Sequence, residues 1–192
     1  MGLLPPALWD FARSLIEAGH FGERKAIVSA LGDREGALLD LPAGTGIFSD
    51  LFDDNRYVGG DIDESLLRHA RKKFPDKRFE KVDALKLPYE AASFENVLMV
   101  GFLHHLDIED VDRSLDEVQR VLAPGGRFLL IEDHPTRDRW NLLGKLLQRL
   151  DAGGQIRLDD EYSKRLSARF TIEEQQPMRA GLWDYNVFVC RR

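Results

Sequence analysis

The chain has 192 residues, 43% hydrophobic and 31% charged, with a formal net charge of −6 at pH 7. This is enough for one domain that buries roughly 70% of its unfolded surface, and it excludes a disordered chain. The acidic balance argues against a nucleic-acid surface, and no apolar run approaches the roughly 20 residues that cross a bilayer.

The single cysteine, Cys190, leaves no partner for an internal disulfide. The first twenty residues carry early acidic side chains and no long apolar core, so no secretory leader is expected and the expected location is cytoplasmic. In chain order, Leu8, Phe11 and Leu15 predict an amphipathic helix over 8–18, and a second helix is predicted over 24–31. Residues 37–41 read as a short buried strand and 56–60 as the next, ending at Asp61. Asp63 is placed to cap a helix over 64–74, which Pro75 helps to end. A weak strand follows at 78–82 and a strong one, FENVLMV, at 94–100. Val111, Leu115, Val118 and Leu122 then recur at helical spacing over 109–122. The Pro124-Gly125-Gly126 turn precedes the strand RFLLIE.

Strands alternating with helices predict an α/β fold with a mostly parallel sheet covered on both faces. The pattern breaks after His134, with a helix over 140–150, a turn at Gly153-Gly154 and a short helix from Asp159. Two final strands, 171–178 and 183–190, are joined closely enough to be antiparallel. The expected organisation is one domain: an N-terminal helical lid (1–35), a cofactor-binding core (36–133), a substrate cap (134–170) and a terminal hairpin (171–192).

The stretch LLDLPAGTG joins a buried strand to a tight turn, with Asp40 at the join and Asp61 21 positions later. That is the spacing of a strand–loop–helix–strand unit that cradles a nucleoside and grips its ribose diol with a carboxylate. A dinucleotide loop normally reads G-x-G-x-x-G, because the backbone must approach a pyrophosphate. Here Pro42 stands at the first glycine, and Asp40 would repel that anion. A carboxylate suits a cationic head, such as the ammonium and sulfonium of S-adenosylmethionine. Asp61 is expected to accept both ribose hydroxyls, Ile62 to pack on the adenine and Asp83 to accept from its amino group. The structural alternatives are a merely tight turn, a second helix cap and a solvated loop acid. Two other readings stay open: a nicotinamide-dinucleotide oxidoreductase, and a non-catalytic module that keeps the nucleoside fold.

The runs LLDLPAGTG, YVGGDIDESLLRHARKKF and VDALKLPYEAASFENVLMVGFLHHLDIEDVDRSLDEVQRVLAPGGRFLLIE resemble class I S-adenosylmethionine-dependent methyltransferases, in the small-molecule branch that includes ubiquinone- and menaquinone-type enzymes. The resemblance covers roughly 36–132. It implies a Rossmann-like seven-stranded sheet with an antiparallel last strand. It also implies that Asp40, Ala43, Gly44, Thr45 and Gly46 line the methionine part, Asp61 and Ile62 the ribose and adenine, and Asp83 with Ala84 the adenine. Val100 would pass near the methyl group. Pro42 and Glu95 depart from the usual glycine and aspartate.

Methyl transfer needs alignment, exclusion of water and sometimes a base. Candidate bases follow the fourth and fifth strands: His104, His105 and His134, with Glu132 and Asp133 as strand-end acids. Trp140, Leu143, Leu146, Leu147 and Leu150 form an apolar stripe, expected first as core packing and second as pocket lining. Trp140, Arg157 and Tyr162 are the candidate acceptor-binding residues, with Trp9 and Phe11 as lid residues. No metal cluster is read from the sequence, and neither an Asn/Asp-Pro-Pro-aromatic tetrad nor a Pro-Cys nucleophile is present. The expected partner is a small organic acceptor, with no nucleic acid, for a monomer or homodimer yielding S-adenosylhomocysteine.

Overall fold

A computed structural model describes residues 18–150 and 155–192; the helix expected over 8–18, Trp9, Phe11 and the Gly153-Gly154 turn lie outside them. Seven strands form one sheet: β1 (Leu38–Asp40), β2 (Tyr57–Asp61), β3 (Arg78–Lys81), β4 (Phe94–Val100), β5 (Leu122–His134), β6 (Thr171–Ala180) and β7 (Trp183–Arg191). Their order is β3-β2-β1-β4-β5-β7-β6. The first five strands pair in parallel, and β7 runs antiparallel between β5 and β6.

The helices are α1 (Phe21–Leu31), α2 (Glu64–Lys73), α3 (Ile108–Val121), α4 (Leu142–Leu150) and α5 (Asp159–Ser167). One core packs Val111, Leu115 and Val118 of α3 and Leu166 of α5 with Leu39, Val97 and Leu130 of the sheet. The other packs Ile27 and Leu31 of α1 and Leu67 and Ala70 of α2 with Leu38, Leu98 and Ile131. Successive strand residues point to opposite faces, so Leu38 and Leu39 enter different cores and β1 is buried throughout. α2 starts where expected: the Asp63 carboxylate accepts from the N–H groups of Ser65 and Leu66.

Three local expectations change. Pro124-Gly125-Gly126 is not a turn before β5 but a bulge inside it. Leu122 pairs with Phe94, the register shifts, and pairing resumes at Asn96 with Arg127. β6 runs to Ala180, leaving Gly181-Leu182 as a two-residue hairpin loop with Gly181 at φ 57°.

The third change concerns the apolar stripe of α4, of which Leu147 packs against the core while Trp140, Leu143 and Leu146 face outward. Leu142, Leu143 and Leu146 are 70%, 54% and 53% exposed, and Trp140 is 76% exposed, while Leu147 is half-buried. The rest of the inward face is small and polar. A Cβ on Gly144 would meet the Leu182 carbonyl oxygen at 2.6 Å, so glycine permits the close approach. Asn141 Nδ2 donates to Leu182 O at 2.8 Å, and Gln148 Nε2 donates to His134 O at 2.8 Å. Gln148 Oε1 accepts from the N–H and hydroxyl of Thr136. These hydrogen bonds, together with Leu147 packed on the second core, dock this helix.

Candidate active site

The carboxyl ends of β1 and β2 lie side by side, with Asp40 paired to Gly59 and Asp61 closing β2. The turn after β1 carries Gly44 at φ 56° and Gly46 at φ 73°, left-handed values that disfavour other residues. Open space lies beside the Gly44 Cα, whereas a Cβ on Gly46 would strike the Phe79 ring at 2.7 Å. The first glycine thus leaves backbone accessible, and the second lets the loop pack on β3.

Asp61 is the hinge of this corner. One carboxylate oxygen accepts from Gly44 N and the other from Asp63 N, each at 2.8 Å. Each oxygen retains a second lone-pair site, so the carboxylate is oriented without being used up. Burial raises its pKa, while the N–H bonds from Asp63 and Gly44 act to lower it. Ile62, the next residue, is 63% exposed. Asp83 is exposed, and its carboxylate accepts from Leu85 N at 2.9 Å, with Ala84 buried beneath. The following loop is held by α3: Arg120 donates to the carbonyls of Leu87 and Tyr89, and Leu87 N donates to Glu117. Thr45 and Ala43 are buried in the turn, and Val100 is half-buried at the end of β4.

Asp40 is more deeply set than its sequence position implied. It is 2% exposed, and Tyr57 Oη donates to its Oδ2 at 2.7 Å. Burial pushes its carboxyl up to about 7, against the lowering effect of the tyrosine hydrogen bond, and the charge of Asp61 adds to the rise. Tyr57 was not singled out in the sequence, because an aromatic within a buried strand looks like core. The signal was its place one strand over from Asp40.

Beyond β4 and β5 lies a second polar group. His104 Nδ1 faces Glu132 Oε1 at 2.5 Å, and Nε2 lies 3.8 Å from Asp133 Oδ2. Glu132 Oε2 accepts from the N–H groups of Phe102 and Leu103, and Trp183 Nε1 donates to Asp133 Oδ2 at 2.7 Å. Burial works to raise the Glu132 pKa, but the charge and hydrogen bond of His104, with the Leu103 and Asp133 N–H bonds, bring it below the usual value. His104, Glu132 and Asp133 offer donor atoms within 4.8 Å of one another. The 2.5 Å contact between Nδ1 and Oε1 is nevertheless a hydrogen bond already made, so an ion would have to break it.

The remaining candidates divide. His105 is exposed, its ring tilted against His104 with centroids 4.0 Å apart. His134 Nε2 pairs with Asp159 Oδ1 at 2.9 Å, and its Nδ1 lies 2.6 Å from Pro135 O. Arg157, expected to meet an anionic acceptor, is buried and donates to the carbonyls of Leu103 at 3.0 Å and Leu106 at 2.7 Å. It therefore clamps the turn that carries His104 and His105. Tyr162 is 1% exposed in the core; burial first, then the charge of Glu132, raises its pKa, against the lowering effect of the neighbouring Arg157. Trp140 stands on the surface, away from this network's buried interior. A cleft of about 310 Å³ lined by Arg34, Glu95 and Gly126 lies at the opposite, amino ends of the strands and belongs to neither polar group.

A parallel sheet closed by an antiparallel β7, with acids at the ends of β1 and β2 around a glycine turn, defines the class I Rossmann-like methyltransferase fold. Residues 39–130 match the family model of a methyltransferase domain. Over 121 residues the chain is 38% identical to a demethylmenaquinone methyltransferase of Deinococcus radiodurans, covering 58% of this chain and 49% of that protein. Over 119 residues it is 34% identical to a ubiquinone/menaquinone biosynthesis C-methyltransferase of Desulfotalea psychrophila, covering 58% and 48%. The chain thus spans about half the length of these curated relatives. Among solved structures, the PH0226 protein of Pyrococcus horikoshii OT3 superposes with a TM-score of 0.72 at 24% identity, over 94% of this chain and 91% of that one, which establishes the shared fold. No helix of the described residues is long and apolar enough to cross a membrane.

Proposed function

We propose that this chain transfers a methyl group from S-adenosylmethionine to a small organic acceptor, with a ring carbon of a quinol as the leading acceptor class and O or N acceptors as the alternatives. The acceptor class follows from the names of the relatives; the donor rests chiefly on one observation. Asp61 is a buried carboxylate held by two backbone N–H groups beside open space at Gly44 and an exposed Ile62.

The residues present fit an adenosyl cofactor. In this reading Asp61 takes the ribose hydroxyls, Ile62 and Ala84 flank the adenine, and Asp83 receives its amino group. Ala43, Gly44, Thr45 and Gly46 accommodate the methionine part, Val100 borders the methyl position, and Asp40 supplies negative charge toward the cationic head. When bound, the cofactor supplies an activated methyl on a positively charged sulfur that leaves as a neutral thioether. The protein's share is then alignment and removal of a proton from the acceptor. We assign the proton-accepting role to the exposed His105, whose ring tilts against His104 on the turn after β4, and a positioning role to His104 and Arg157. The 134–170 segment serves as the acceptor-side cap.

Calorimetry with S-adenosylhomocysteine and NAD tests the donor assignment. Binding of S-adenosylhomocysteine and silence with NAD is the expected result; the reverse overturns the proposal. Mass spectrometry of a demethylated, short-tailed menaquinol incubated with S-adenosylmethionine tests the acceptor. A methylated product is expected, and in His105→Ala the fall in rate at low pH that a protonated base imposes should disappear.

A further inference from the structure

We propose that α4 with Trp140 is a docking surface for an anionic lipid bilayer, lying flat on it without crossing. The helix presents its apolar residues outward: Leu142, Leu143 and Leu146 are each more than half exposed, and nothing among the described residues covers them. It is held to the protein by the opposite face, through Asn141, Gly144 and Gln148. A surface helix normally does the reverse, and an outward apolar face is a mark of an interaction surface.

The charge around this face selects the occupant. Residues 139–150 contain Arg139, Lys145 and Arg149 and no acid, within a chain of net charge −6. The Arg139 guanidinium lies 4.8 Å from the centre of the Trp140 ring, and Lys145 Nζ donates to Arg139 O at 3.2 Å, so cations gather beside the indole. Leucines flanked by basic residues, with a tryptophan at the margin, match the layering of a bilayer surface. The leucines reach the acyl boundary, the indole sits at the headgroups, and the cations meet lipid phosphates. A second acidic copy of this chain or an acidic protein partner would satisfy the cations but leave the leucines to a matching apolar face. Gln148 ties α4 to His134 at the end of β5, so the docked surface adjoins the acceptor side of the site. The inference goes beyond methyl transfer, since docking is expected whether or not a given acceptor turns over.

Sedimentation of the full chain with vesicles tests it, comparing phosphatidylglycerol–phosphatidylcholine mixtures with phosphatidylcholine alone. Binding to the anionic vesicles is expected, weaker with salt and about tenfold or more weaker on the neutral ones. Leu143→Glu combined with Leu146→Glu should lower binding by about tenfold or more, whereas Val28→Glu, on the exposed side of α1, should not change it. Tryptophan emission should shift to the blue on binding, and Trp140→Phe should abolish the shift. Absence of binding, equal binding by the double variant, or concentration-dependent self-association in place of binding overturns the proposal. So does a lower melting temperature of the double variant, because it would mean that the chain itself covers these leucines.

Discussion

The two polar groups at the carboxyl ends of the strands are built on opposite plans. At the donor end, Asp61 is oriented by backbone N–H groups and keeps lone pairs for a ligand, and Asp83 stands in an exposed turn. At the acceptor end, His104, Glu132, Asp133, Trp183 and Arg157 are spent on one another and on the turn after β4. The first arrangement is made to receive hydrogen bonds. The second fixes the shape of the backbone, and chemistry there falls to what the turn presents. Removing a side chain should therefore cost binding at one end and folding stability at the other.

The largest effect is expected at Glu132. Glu132→Ala leaves His104 facing a hole and frees the N–H groups of Phe102, Leu103 and Asp133, and the loss of one partner from a buried pair costs about 3–5 kcal/mol. Chemical denaturation measures it, and a loss below 1 kcal/mol would dissolve the distinction between the two ends. The pH response has a definite sign. Because the folded Glu132 pKa lies below its ordinary value, its stabilisation is present above that value and fades as pH falls through the lowered one.

Asp61→Ala comes next and acts chiefly on binding. S-adenosylhomocysteine affinity should fall by roughly 1.5–3 kcal/mol, the scale of hydrogen bonds to a charged group. Calorimetry would show this, and an unchanged affinity would remove Asp61 from the ribose.

Asp40 gives the third test, through pH. With its carboxyl raised from 3.8 to about 7, the stability that the protonated form contributes is complete below 3.8 and is lost as pH rises through about 7. A cationic ligand favours the ionised form. Affinity for S-adenosylmethionine, which carries the sulfonium charge, should therefore weaken below pH 7 by up to about tenfold per pH unit, with proton release on binding. Titrations on either side of that value check it, and Asp40→Asn should flatten the curve.

The smallest effect belongs to the helix cap. Asp63→Ala removes the acceptor for the Ser65 and Leu66 N–H groups and should cost about 1 kcal/mol in melting experiments. Cofactor affinity should hardly move. A large drop in affinity would mean that Asp63 does more than end the helix.

What was legible in the sequence was local. The acids at the ends of β1 and β2, the glycines between them and the Asp63 cap are separated by a few residues or one strand–helix turn. Their placement follows from spacing alone. The acceptor side was less legible because its pairs are distant: His104 meets Glu132 across 28 positions, and Arg157 meets Leu103 across 54. Arg157 looked like an anion receptor because its charge was visible and the two carbonyls that use it were not.

The α4 stripe shows the limit most clearly. Leucines at helical spacing specify an apolar face, but not the direction in which that face points. By itself the sequence determined the alternating α/β order, the antiparallel close of the sheet and the acids around the glycine turn at the ends of β1 and β2, because periodicity and turn chemistry act over short distances. Tertiary structure alone decided that Asp40 is desolvated against Tyr57, that the histidines are divided between carboxylate pairs and the surface, and that α4 turns Leu142, Leu143 and Leu146 outward. Each of these depends on which neighbours exclude water, and those neighbours come from elsewhere in the chain.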